Sequence, residues 1–76
     1  MRERILEILQ EIDETVDYES EQALIDDQVL DSFALITLIG ELEDSFDIRI
    51  RAVDMVAKNL NSVDAIEALV RRLQAK

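Results

Sequence analysis

Asp31, Ser32 and Phe33 form the stretch of this chain whose residue types best suggest chemistry. They stand where a polar segment gives way to apolar residues at helical spacing, so Ser32 is predicted to lie in the first turn of a helix. The first N–H groups of a helix have no acceptor within it, and the positive end of the helix dipole lies there. A phosphodiester on the Ser32 hydroxyl would therefore be stabilised. The alternative interpretation is that Asp31 and Ser32 only cap the helix.

Residue types that are missing exclude most other chemistry. The chain has no Cys and no His, which removes thiol nucleophiles, thiolate metal sites, the commonest general base and the commonest metal ligand. Its 76 residues predict one domain, residues 1–76, which is too small to enclose a large active-site cavity. We therefore expect a protein that is not an enzyme.

A calcium-binding loop is suggested by the acidic residues but has the wrong spacing. A loop that starts at Asp13 places Tyr18 where glycine is needed for the turn, and Leu24 where a bidentate glutamate is needed. The sequence therefore predicts no metal site. Weak binding of divalent cations by clustered carboxylates stays open for Asp26, Asp27 and Asp31.

The charge of the chain is negative and unevenly distributed. Eighteen acidic and eight basic residues give a net charge of −10. Between Arg4 and Arg49 there is no basic residue, whereas fourteen acidic residues lie there: Glu7, Glu11, Asp13, Glu14, Asp17, Glu19, Glu21, Asp26, Asp27, Asp31, Glu41, Glu43, Asp44 and Asp47. This charge would repel nucleic acids and anionic membranes, so the expected partners are proteins with basic patches. The lack of an apolar run of about 20 residues and of a signal peptide predicts a cytoplasmic protein.

Composition and apolar spacing predict an all-α fold. The chain contains one Gly, no Pro and only 4 % aromatic residues, which favours helices packed through aliphatic side chains. The first helix is predicted over residues 2–14, and its apolar stripe consists of Ile5, Ile8, Leu9 and Ile12; Val16, just beyond it, continues the same spacing. A long polar loop, residues 15–31, follows. Its apolar residues are expected to fold back onto the core: Tyr18, Leu24, Ile25, Val29 and Leu30.

Three further elements complete the predicted bundle. The second helix extends to about Phe46, with its core stripe at Leu35, Leu38, Ile39, Leu42 and Phe46. Residues 48–50 look extended, and residues 52–56 are long enough for only a turn or two of helix. The last helix starts after Asn61 or Ser62, where Asn61 and Asp64 have the spacing of a capping box. Its buried stripe is predicted to contain Val63, Ile66, Leu69, Val70 and Leu73. The prediction is a small four-helix bundle with three long helices, a short third helix and a long first loop.

The second helix carries apolar residues outside its core stripe. Phe33 and Ile36 lie toward a different side, and acidic residues follow them along the helix. This pattern is typical of a surface on which another protein docks, although Ile36 could equally be the edge of the core. The predicted partner-binding residues are Phe33, Ile36, Thr37, Gly40, Glu41 and Asp44, and Glu43 is expected beside them on the acidic rim.

With these residues in view, the chain resembles the acyl carrier protein family. The similarity covers nearly the whole chain and runs through residues 26–33 (DDQVLDSF), 42–50 (LEDSFDIRI) and 61–66 (NSVDAI). In addition, the family consists of small acidic domains with four helices, of which the third is short. An Asp-Ser-hydrophobe triplet opens their second helix, as it does here at Asp31, Ser32 and Phe33.

The resemblance implies a carrier function and a cofactor. Ser32 is similar to the serine that a transferase modifies with phosphopantetheine from coenzyme A, and Asp31 stands beside it. The thiol of this arm would then hold an acyl or aminoacyl group as a thioester. The implied partners are a phosphopantetheinyl transferase and acyl- or aminoacyl-transferring enzymes with basic patches, and we expect the carrier to be a monomer.

The carried group and a second function class stay open. Phe33 stands where the family usually has Leu or Met, and Ala34 and Thr37 stand where fatty-acid carriers commonly have acidic residues. The run from Leu30 to Ser32 is also similar to D-alanyl carriers of cell-wall modification, so fatty acid biosynthesis is only one of the implied pathways. The alternative function is an unmodified acidic helical interaction module, or a redesigned carrier scaffold.

Overall fold

Four helices form a small all-α bundle, as the sequence predicts. The computed structural model describes residues 1–75 of the chain. The helices are α1 (Arg2–Ile12), α2 (Ser32–Phe46), α3 (Ala57–Leu60) and α4 (Val63–Gln74), with a single 3₁₀ turn at Ala52–Asp54. No strand occurs within the described residues. Helix α1 contacts both α2 and α4, and α3 packs mainly against α4.

Helix α1 is two residues shorter than its predicted span of 2–14. Its apolar stripe is confirmed, because Ile5, Ile8 and Leu9 are fully buried. The helix ends at Asp13, whose carboxylate accepts hydrogen bonds from the Thr15 hydroxyl (2.6 Å) and the Thr15 amide (3.0 Å). These two bonds lower the pKa of Asp13. Such local side-chain bonds compete with the helical hydrogen bonds and explain the early end.

The long first loop is fastened to the core by buried side chains. Tyr18 is only 2 % exposed, and Leu24 and Leu30 are buried with it. The hydroxyl of Tyr18 donates to the backbone carbonyl of Asp13 at 2.8 Å, and burial of the ring raises the pKa of this hydroxyl. Ile25 and Val29 pack partly against the same core. The prediction that these residues fold back onto the bundle is therefore confirmed.

Asn61 joins this loop to the region before α4. Its side-chain oxygen accepts from the amides of Ile25 (2.9 Å) and Asp26 (3.1 Å), and its side-chain nitrogen donates to the Asp26 carboxylate at 3.0 Å. Its backbone carbonyl accepts from the amide of Leu24 at 2.9 Å. One side chain thus makes three hydrogen bonds to a segment that is 35–36 residues away along the chain.

Helix α4 starts after Ser62, one of the two predicted positions, but its capping differs from the prediction. Asn61 is engaged with the loop and does not cap the helix, so the proposed capping box of Asn61 and Asp64 is wrong. Ser62 is the cap, and its hydroxyl oxygen accepts from the amide of Ala65 at 3.1 Å. Asp64 instead forms an ion pair with Arg2, which fastens the start of α4 to α1. The predicted apolar stripe of α4 is confirmed in the fully buried side chains of Val63, Ile66, Leu69 and Val70.

The short third helix lies later in the chain than predicted. Residues 52–56 form only the 3₁₀ turn and a connection, whereas α3 occupies Ala57–Leu60. Buried Asn59 explains the shift: its side-chain nitrogen donates to the carbonyl of Asp54 at 2.9 Å, and its side-chain oxygen accepts from Arg72 at 3.3 Å. These contacts fix the turn and α3 against α4, and the apolar pattern of residues 52–56 does not reveal them.

Helix α2 packs against the core through its predicted apolar stripe, and the residue that ends it has a left-handed backbone conformation. Leu38 and Leu42 are fully buried. The helix ends at Asp47, which has φ 52° and ψ 51°, and the amide of Asp47 donates to the carbonyl of Glu43. The Glu43 carboxylate accepts from the amide of Ile50 at 2.9 Å and so positions the extended segment that follows.

Candidate functional site

Ser32 is the first residue of α2, as predicted, and Asp31 alone caps the helix. The Asp31 carboxylate accepts from the amide of Ala34 at 2.8 Å, and its backbone carbonyl accepts from the amide of Leu35 at 2.9 Å. Ser32 is exposed, and its side chain makes no hydrogen bond within residues 1–75. The interpretation that Asp31 and Ser32 both act as caps therefore holds only for Asp31.

The other serines of the chain are all engaged by neighbouring groups. The hydroxyl of Ser20 donates to the carbonyl of Asp17 at 3.4 Å, Ser45 accepts from Arg4 at 3.2 Å, and Ser62 caps α4. Ser32 is the one serine of the described chain whose hydroxyl is not used by the fold. It is therefore the hydroxyl that a second molecule can reach and modify at the smallest structural cost.

The backbone beside Ser32 suits an anion. Within the described part of the chain, the amides of Ser32 and Phe33 have no acceptor, as expected for the first turn of a helix. These amides and the helix dipole favour a negative group on Ser32, whereas the adjacent Asp31 carboxylate opposes it. The arrangement thus provides a reachable hydroxyl and free donors at the same helix end.

A depression of about 360 Å³ adjoins Ser32 on the side of the first loop. Three apolar residues line it, and the remaining lining residues are Gln28, Asp31 and Ser32 itself. Gln28 has a positive φ of 57°, a conformation that residues other than glycine rarely adopt. The apolar lining residues are Ile25, Leu30 and Leu35. We refer to these six residues as the Ser32 depression.

The predicted docking residues share one face of α2. Phe33 is 79 % exposed and Ile36 is 68 % exposed, so Ile36 belongs to the surface and not to the edge of the core. Their spacing of three residues places them on the same side of the helix. We call this surface the docking face; its residues are Phe33, Ile36, Thr37, Gly40, Glu41 and Asp44.

The other members of the docking face do not block it. The Thr37 hydroxyl donates to the carbonyl of Phe33 at 3.2 Å and is therefore turned back onto the helix. A side chain at Gly40 would meet open space. Within residues 1–75, Glu41 and Asp44 form no ion pair, so both carboxylates are available to a partner. Glu43, which was expected on the same rim, is instead bound to the amide of Ile50.

A second exposed apolar segment was missed at the level of the sequence. Val53 is 69 % exposed, and Met55 and Val56 are also exposed on the segment between α2 and α3. The signal was available, because these residues lack the spacing of a buried helical stripe. Lys58 follows them and has no ion-pair partner among the described residues, whereas Arg51 pairs with Asp54.

Metal and membrane sites are not found in the described structure. No group of three or more side chains of the His, Cys, Asp or Glu type within residues 1–75 is arranged to hold a metal ion. Likewise, none of the helices in this part of the chain has the length and apolar character that crossing a bilayer requires.

Comparison with known proteins identifies no relative of this chain. No protein-family model, no curated protein and no solved structure matches the chain. The functional interpretation therefore depends on the geometry around Ser32 and on the resemblance carried by its own residues.

Proposed function

We propose that the protein is a carrier that holds acyl or aminoacyl groups as thioesters on a phosphopantetheine arm attached to Ser32. The observation that supports this most directly is the unused hydroxyl of Ser32 at the first position of α2, beside two amides without acceptors. The resemblance of residues 26–33 to the acyl carrier protein family points to the same serine.

The residues around Ser32 fit the attached group. In the modification, the Ser32 oxygen loses its proton and bonds to the phosphorus next to pantetheine in coenzyme A, and adenosine 3′,5′-bisphosphate leaves. The resulting phosphodiester carries a negative charge, which the amides of Ser32 and Phe33 favour. The bound arm supplies the thiol that a chain without cysteine lacks. Asp31 holds the first turn in place by its bond to Ala34, so that Ser32 stays exposed.

The docking face provides the contact with partner enzymes in this proposal. Phe33 and Ile36 offer apolar area near the modified serine, and burying a large apolar side chain contributes roughly 1.5–3 kcal/mol. Glu41 and Asp44 lie further along the helix and attract a basic surface during encounter. The proposed partners are a phosphopantetheinyl transferase and enzymes that transfer the acyl or aminoacyl group.

The proposal is tested by incubating the protein with coenzyme A and a broad-specificity phosphopantetheinyl transferase. The intact mass of the wild type should increase by one phosphopantetheinyl group. Ser32→Ala should gain nothing, whereas Ser20→Ala, a matched change at another exposed serine, should react as the wild type does. Failure of the wild type to react, or an equal gain by Ser32→Ala, would refute the assignment.

The exposed Phe33 and Ile36 also favour the alternative, an unmodified acidic interaction module. Side chains that are 79 % and 68 % exposed are suited to a protein partner whether or not Ser32 is modified. The same incubation separates the two functions, because the interaction module predicts a partner-binding helix with an unmodified Ser32.

A further inference from the structure

The Ser32 depression directly adjoins the proposed attachment point. Ser32 itself lines it, together with residues of the loop that precedes α2. Its volume of about 360 Å³ lies in the lower part of the range for small-molecule sites, roughly 300–1,000 Å³. A group that is covalently bonded to Ser32 would meet these walls without losing the translational freedom that a free ligand loses.

We propose that the Ser32 depression binds the first part of the phosphopantetheine arm, between its phosphate and its first amide, and so directs the arm along the first loop. This inference rests on the proposed function. It adds a resting position for the arm and names the residues that hold it.

The chemistry of the walls matches that part of the arm. After the phosphate the arm has a methylene, then a carbon that bears two methyl groups, then a carbon that bears a hydroxyl, and then the first amide. Ile25, Leu30 and Leu35 supply apolar surface for the methyl groups. Gln28 supplies a side-chain amide, which both donates and accepts hydrogen bonds and so complements the hydroxyl and the amide of the arm.

Gln28 is the residue whose geometry singles out this depression. Its φ of 57° is unfavourable for a residue with a side chain. The backbone amide of Gln28 nevertheless donates to the carbonyl of Ile25 at 3.0 Å, and this bond holds the turn. The side-chain amide makes no hydrogen bond within residues 1–75. Strained residues persist where the surrounding structure fixes them, and they concentrate at binding sites. An unused amide is thereby kept on the wall next to Ser32.

The other place for the arm is the exposed apolar segment of Val53, Met55 and Val56. These side chains also offer apolar surface. The depression that Ser32 lines is formed with the loop residues, and these three side chains are not part of it. The loop side is therefore favoured, and contacts of the arm with Val53 or Val56 would contradict the inference.

The experiment compares the unmodified and the phosphopantetheine-bearing protein by NMR. After modification is verified by intact mass, nuclear Overhauser contacts are measured from the two methyl groups of the arm. We expect contacts with the methyl groups of Ile25, Leu30 or Leu35, and changes in the amide shifts of Ile25 and Gln28. Changes confined to residues 31–34, without such contacts, would show only the new charge and would overturn the inference.

A matched pair of glutamine variants tests the role assigned to the side chain. Gln28→Asn shortens the side chain but keeps its amide group, and asparagine tolerates a positive φ. Gln22→Asn makes the same change at an exposed site of the same loop, outside the depression. A lost hydrogen bond of ordinary strength should reduce the ratio of bound to unbound arm by about two- to tenfold. The shift changes at Ile25 should shrink accordingly in Gln28→Asn alone.

The outcomes separate this inference from the proposed function. A wild type that gains no mass overturns both. A modified wild type whose arm contacts Val53 or Val56, or no protein side chain at all, retains the carrier function and overturns the inference. Equal shift changes in both glutamine variants would remove Gln28 from the site.

Discussion

Replacing Asn61 by alanine should destabilise the protein strongly, although Asn61 is a polar residue that is not buried. The Asn61 side chain makes three hydrogen bonds to the first loop, at 2.9, 3.1 and 3.0 Å. Asn61→Ala removes all three at once. It leaves the backbone bond between Asn61 and Leu24 in place, so the loop should loosen without a change in the topology of the bundle.

The size of the effect follows from what each partner loses. The amide of Ile25 is partly buried, and an amide without an acceptor costs roughly 1–3 kcal/mol. Asp26 is exposed, so water replaces the two hydrogen bonds that it makes with Asn61. The loss of each therefore costs only about 0.5 kcal/mol or less. The free energy of unfolding should therefore fall by about 2 kcal/mol. For a domain of this size the melting temperature should fall by roughly 8–16 °C.

The assay is urea unfolding followed by circular dichroism, together with hydrogen exchange of the loop amides. The amide of Ile25 should lose protection more than amides in the centre of α4. Gln22→Ala is the matched control, because Gln22 is an exposed polar residue of the same loop without a side-chain hydrogen bond to the described residues. A loss of less than about 0.5 kcal/mol in Asn61→Ala would refute the reasoning that Asn61 fastens the loop.

Three further predictions follow from the helix ends and the docking face. Asp47→Gly should raise the free energy of unfolding by about 1 kcal/mol in urea unfolding, because it relieves a positive φ of 52° and removes a negative charge from the end of α2; a loss of stability would contradict this. The bonds from Thr15 lower the pKa of Asp13 below its ordinary value near 3.8, so their stabilisation is complete above that value and disappears as the pH falls through the folded-state pKa. In an NMR titration, Thr15→Ala should return the Asp13 midpoint toward the ordinary value, and an unchanged midpoint would disprove the cause. Reversing Glu41 and Asp44 to Lys should slow modification by the transferase strongly at low salt and little at high salt, and equal rates at low salt would mean that this face does not dock.

Much of the fold could be predicted because each long helix buries one stripe of apolar side chains, which the sequence shows as a helical spacing. The stripes of α1, α2 and α4 repeat with helical spacing, so residues such as Ile8, Leu38 and Leu69 are confirmed as core. A short third helix was predicted, but its position in the chain was not, because tertiary contacts decide where it forms. The side chain of Asn61 bonds to the distant amide of Ile25, and that of Asn59 bonds to the backbone carbonyl of Asp54. Neither hydrogen bond can be recognised from the residue types nearby in the sequence.

The candidate site could be predicted in part for a similar reason. A polar-to-apolar boundary places Ser32 at the start of α2, and this needs only local information. Whether Ile36 is core or surface depends on how α2 is rotated against α1 and α4, and the sequence leaves this open because both faces of α2 carry apolar residues. The Ser32 depression depends on how the loop folds back, which the buried Tyr18 and Leu30 decide.

The most direct test of the central claim is peptide fragmentation of the protein after it has been produced together with a phosphopantetheinyl transferase. The chain is cleaved at acidic residues, because no Lys or Arg separates Ser20, Ser32 and Ser45. Ser32 should carry one phosphopantetheinyl group, and Ser20, Ser45 and Ser62 should be unmodified. A protein that remains entirely unmodified beside an active transferase, or that carries the group on another residue, would contradict the account.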